Sequence, residues 1–127
     1  MVTKVISLNR TPADPGTSSF AMLLHQEGDQ VRRDVFPLLA REDTASRRVM
    51  AGYTVVYPGC TTNGHAHSDR EEIYHFARGS GVMIVDGCET EVAAGDTLYL
   101  PPGPFHTARN PSALPLEYFW VTIECGG

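Results

Sequence analysis

Three histidines and a glutamate carry the chemistry this 127-residue sequence can do: His65 and His67 in Gly64-His65-Ala66-His67, then Glu72, and much later His106. Three imidazole nitrogens and one carboxylate oxygen converging on a point make a site for one divalent transition metal. The donor types accept Fe, Mn, Co, Ni, Cu or Zn without choosing among them. Buried without a cation, the carboxylate would lose its hydration and would have to protonate or find a donor. His25 and His75 stand outside this group, and His75 is out of phase with Glu72. Cys60 reads as a small buried hydrophobe.

Strands must position these residues. Side chains two apart on a strand share a face, so His65 and His67 point the same way. Glu72 opens the run Glu72-Ile73-Tyr74-His75-Phe76-Ala77, whose alternation puts Tyr74 and Phe76 on the ligand face as expected pocket walls. Val82-Met83-Ile84-Val85 is the next strand, turned back at Asp86-Gly87 into Glu89 to Val92. Thr97-Leu98-Tyr99-Leu100 ends at Pro101-Pro102-Gly103-Pro104, which cannot continue a ladder. The chain re-enters at His106 and closes through Leu116 to Ile123. Upstream, Met50 to Tyr57 reads as a strand, Arg41 to Arg48 as a charged turn, and Gln30 to Leu39 as a strand that Pro37 places at an edge. Thr11 to Ser19 reads as a loop and Phe20 to His25 as a further strand. Short strands at regular intervals with Gly and Pro punctuation predict an all-β sandwich or barrel.

Two spaced blocks sharpen this. The first runs Gly59, five residues, His65, one, His67, four, Glu72, six, Gly79; the second runs Gly95, five residues, Pro101, one, Gly103, two, His106, three, Asn110. With fifteen residues between Gly79 and Gly95, the pair resembles the two-motif signature of the cupin superfamily, in its small single-domain, conserved-barrel form. The resemblance implies a double-stranded β-helix (jelly-roll) barrel over residues 1–127, with 1–48 supplying N-terminal strands and loops and 49–127 the motif-bearing barrel. It implies one divalent metal per chain on His65, His67, Glu72 and His106, with Glu72 able to shuttle a proton, and a homodimer joined through N-terminal strands.

One barrel hosts many chemistries. The leading expectation is a metal-dependent dioxygenase or related oxidoreductase acting on a small organic substrate chelated to the metal. A non-redox isomerase, cyclase, lyase or decarboxylase is the alternative, with the metal as Lewis acid. The third reading is a module that binds or senses a small ligand without turnover. Gly64-His65-Ala66-His67 is similar to the core of cupin sugar-phosphate isomerases, yet no arginine is evident on the ligand face, since Arg78 and Arg109 are out of phase. A net charge of −5 gives no footprint for nucleic acid. No apolar run is long enough to span a membrane. The first ten residues lack a secretory pattern, and Cys60, Cys88 and Cys125 form no paired spacing, so a cytoplasmic protein is expected.

Overall fold

Glu72 lies on the concave side of a curled antiparallel sheet that faces a second, smaller one. The computed structural model of the protein describes residues 3–14, 33–62 and 64–126, and the named strands among them number eight. They are β1 (Arg33–Leu39), β2 (Val49–Val56), β3 (Arg70–Arg78), β4 (Ser80–Val85), β5 (Cys88–Ala93), β6 (Thr97–Leu100), β7 (His106–Arg109) and β8 (Leu116–Glu124). The larger sheet has the order β1-β2-β8-β3-β6 and the smaller β5-β4-β7. This is the expected all-β jelly-roll barrel.

Alternation along the strands decides what faces inward. In β3, Glu72, Tyr74 and Phe76 are buried while Ile73, His75 and Ala77 are exposed. In β8, Leu116, Tyr118 and Thr122 are buried on the same side. Phe76, Met83, Leu100, Leu116 and Val56 are fully buried and form the floor of the barrel. Removing such side chains from water is the main stabilising term, roughly 1.5–3 kcal/mol for each.

The turns follow their sequences. Asp86 and Gly87 both take positive φ, 48° and 80°, the backbone that a two-residue hairpin loop requires. Pro37 sits where the β1–β2 register shifts, on the edge strand of the sheet, a position that tolerates a missing donor. Arg41 to Arg48 opens with a single 3-10 turn, Arg41–Asp43. β3 begins at Arg70, two residues before the expected start, so one more residue joins the face of Glu72. The expected strand Phe20 to His25, the residue His25 and most of the loop from Thr11 to Ser19 lie outside the described residues.

Candidate metal centre

Backbone pairing brings two of the histidines together. His65 and His106 form an isolated antiparallel bridge in which each amide donates to the other's carbonyl, at 3.0 and 2.9 Å. Residues directly opposite on paired backbones carry side chains on one face. Their rings accordingly lie 4.4 Å apart between centroids. His67 is not in a named strand; it is held where its carbonyl accepts from the Gly103 amide at 2.7 Å, and its ring comes within 4.4 Å of the His65 ring. Glu72 arrives from the opposite sheet on β3.

The ligand atoms of His65, Glu72 and His106 all lie within 4.8 Å of one another. His67 stands just outside this group, its Nε2 3.9 Å from Glu72 Oε1, as is that of His65. The structure thus brings together all four residues singled out from the sequence, three closely and one at the margin. The side chains of Glu72 and His106 are 6% and 4% exposed, whereas that of His65 is 50% exposed. The group has a buried side and a side open to entering molecules.

The Glu72–His106 contact shows that these residues suit a cation. His106 Nε2 lies 2.7 Å from Glu72 Oε2, yet the angles do not make a hydrogen bond, and both atoms are buried without one. His106 Nδ1 donates to the Pro104 carbonyl at 3.2 Å, which leaves the lone pair of the neutral ring on Nε2, facing the carboxylate. Two acceptors at that distance, out of water, need a positive charge near both: a proton or a metal ion. A second-nitrogen bond to a backbone carbonyl is also how metal-ligating histidines are commonly oriented.

The titration directions agree. Burial would raise the Glu72 carboxyl, but the His106 and His65 rings outweigh it and hold the group down to about 2. Burial would lower His106, and the Glu72 carboxylate with the Pro104 carbonyl more than reverses that. His67 is lowered, by burial first and then by His65, so its neutral, ligand-competent form is favoured. The carboxylate of Glu72 and the neutral ring of His67 are forms that bind metal, whereas the raised His106 holds a proton in the metal-free pair that an ion would displace.

The group opens on a cavity of about 220 Å³. Tyr74, Tyr118, Trp120, Met50 and Met83 give it an aromatic and apolar wall. Tyr74 occupies the wall position expected of it, stacked on Tyr118 at 4.7 Å. Phe76, expected beside it, does not line the cavity: it lies four residues along β3 from Glu72, about 13 Å, and packs against Tyr118 in the floor. Its phase is that of the ligand face, but its level along the strand is too deep. His75 faces outward, its Nδ1 2.9 Å from Thr97 Oγ1. Cys60 is buried, and all three cysteines are free.

Two charged residues of the cavity were missed. Arg70 and Arg33 both line it, which corrects the expectation that the ligand face lacks an arginine. Arg70 had a legible signal, because it is two residues before Glu72 and so in phase with it. Arg33 had none, because its place depends on how the edge strand β1 pairs with β2. Asn110 is structural: its Nδ2 donates to the carbonyls of Val56 and Leu114, at 2.9 and 2.7 Å, and its Oδ1 accepts from Ser112.

Comparison with known proteins gives the family of the chain. Over 63 residues the chain is 40% identical to an uncharacterised protein of Methanocaldococcus jannaschii, a match covering 50% of each. Over 88 residues it is 32% identical to a dimethylsulfoniopropionate lyase of Ruegeria pomeroyi, covering 68% of this chain and 57% of the lyase. The chain therefore matches only about half the length of these curated relatives. A predicted oxalate decarboxylase of Thermotoga maritima superposes with a TM-score of 0.79 at 21% identity, covering 95% of this chain and 99% of that one. The family model of the cupin domain matches residues 52–122, a span that contains all four candidate ligands, and the chain belongs to that family.

Proposed function

We propose that this protein is a metal-dependent enzyme that holds one divalent transition metal on His65, His67, Glu72 and His106 and carries out non-redox lyase or decarboxylase chemistry on a small organic molecule. The observation that carries it is the buried pair of facing acceptors, Glu72 Oε2 and His106 Nε2, on the wall of a cavity. A bound cation of this kind supplies Lewis acidity to a substrate oxygen.

The remaining work falls to the chain's own residues. The cavity lies below the roughly 300–1,000 Å³ of drug-sized sites, which limits the substrate to a few heavy atoms beyond its metal-binding group. Tyr74 and Tyr118 are kept protonated, by burial above all, and so serve as hydrogen-bond donors. Glu72 is held as a carboxylate far below neutrality, which suits gripping a cation better than moving a proton. The aromatic wall lowers the dielectric on the buried side of the group and so strengthens charge interactions there.

The leading expectation from sequence was oxygen chemistry. Support for the non-redox alternative comes from the likeness to a lyase at 32% identity. The test is turnover of small acids, with dimethylsulfoniopropionate and oxalate among them, by protein loaded with Zn or Mn, in air and without it. Turnover with redox-inert Zn, unchanged without oxygen, is expected. Oxygen consumption matching product formation, with Zn protein inactive, would sink the proposal.

A further inference from the structure

The cavity has a charge of its own, opposite in sign to the protein's. The chain carries a net charge of −5. Yet among the lining residues the guanidinium groups of Arg33 and Arg70 stand against a single carboxylate, Glu72. The lining thus carries one positive charge in excess, which the Asp69 carboxylate beside Arg70 offsets at the rim and a bound divalent cation would raise by two. Low-dielectric walls magnify such an imbalance and attract the opposite charge from solution.

The two arginines differ in what they have to bind. Arg70 is at the rim with its Nε 3.3 Å from Asp69 Oδ1. Arg33 has no carboxylate partner among the described residues, although it is half-buried at the start of β1. It lines the cavity close enough for its charge to act on the Tyr118 hydroxyl. Beside that hydroxyl is Thr54, whose Oγ1 accepts from Trp120 Nε1 at 3.0 Å. Arg33, Tyr118 and Thr54 therefore group polar atoms on the cavity wall, with the apolar side chains of Met50 and Val35 also lining the cavity. A guanidinium is the group best shaped to take a carboxylate through paired hydrogen bonds.

We propose that the substrate is a small monocarboxylate or dicarboxylate with a short apolar body, and that Arg33 is the specificity-determining residue that binds its acid group. This rests on the cavity being the reactive site as proposed above, but its test needs no metal. Trp120 is the chain's single tryptophan and lines the cavity, so its emission reports occupancy. Chelator-treated, desalted protein is titrated with butyrate and with butyramide, a neutral molecule of the same shape, and binding is followed by Trp120 fluorescence and by equilibrium dialysis of radiolabelled probe.

Butyrate is expected to bind and to weaken with added salt, with butyramide binding at least about tenfold more weakly. Arg33→Gln is expected to abolish that preference, and Arg33→Lys to restore part of it by keeping the charge but not the fork. No binding of butyrate by dialysis, equal binding of the amide, or an unchanged preference in Arg33→Gln of native circular dichroism each overturns the proposal. Elemental analysis of the protein as purified tests the metal reading separately. Protein that selects the acid through Arg33 but holds no metal leaves this inference standing and removes the other.

Discussion

The paired groups Glu72 and His106 give the metal-free protein a stability that depends on pH in a defined way. The folded-state value of Glu72 is about 2 against an ordinary 4.5, so its contribution is complete above 4.5 and is lost as pH falls towards 2. His106 is raised above its ordinary 6.5, so its contribution is complete below 6.5 and is lost as pH rises through the raised value. His67 is lowered and opposes folding below 6.5, which is why the pair is best isolated by difference. The gap in melting temperature between metal-free wild type and His106→Gln is expected to be widest between about 4.5 and 6.5, and to narrow on both sides. A gap constant from pH 3 to 9 would show that the pair carries no such coupling. At this scale the sequence was legible for the clustering of His65, His67, Glu72 and His106, because their types and spacing are those a divalent ion would require. It was less so for the wall: the period of two gave Tyr74 and Phe76 the same face but could not say that Phe76 sits a level too deep. The same period pointed to Arg70, since Arg70 and Glu72 are separated by one residue.

At the scale of elements, the strands are set by the turns between them, and two glycines separate the physical reasons for a turn. Gly79 and Gly87 have nearly the same φ, 78° and 80°, so a side chain at either meets the same left-handed strain of about 1–2 kcal/mol. They differ in space. Around Gly87 an added Cβ meets nothing within 4 Å, whereas at Gly79 it would overlap the Pro115 carbonyl, which is backbone and has little room to move. Gly79→Ala is therefore expected to cost about 1–3 kcal/mol more than Gly87→Ala, measured by urea denaturation of both variants. Equal losses would mean that the close approach of the β3–β4 turn to the segment before β8 is of no consequence. Strands between turn dipeptides were legible because Asp86-Gly87 and Pro101 to Pro104 leave the backbone few choices. The start of β3 was not, because Asp69 and Arg70 carry no apolar alternation; Arg70 is drawn into the ladder by its pairing with Glu124. The rings of His65 and His67 do lie side by side as strand alternation implies, although the segment that carries them pairs only through isolated bridges at Thr61 and His65.

For the molecule as a whole, the candidate ligands come from both walls of the barrel. Glu72 belongs to β3 in the larger sheet and His106 to β7 in the smaller, so a bound ion ties the two sheets across their open side. The unfolded chain scatters these residues and has no comparable site, so binding favours the native state by mass action. At a free metal concentration about 100 times the dissociation constant the gain is about 2.7 kcal/mol. For a chain of 127 residues this corresponds to a rise of about 10 °C in melting temperature. Calorimetry with stepwise Mn or Zn, and with chelator, is expected to show that dependence. His106→Ala should flatten it by removing a buried ligand, while His75→Ala, on the outer face beside Thr97, should keep it intact. Stabilisation equal in all three proteins would mean that the ion binds elsewhere, and the reading of the cavity as a metal centre would fall with it.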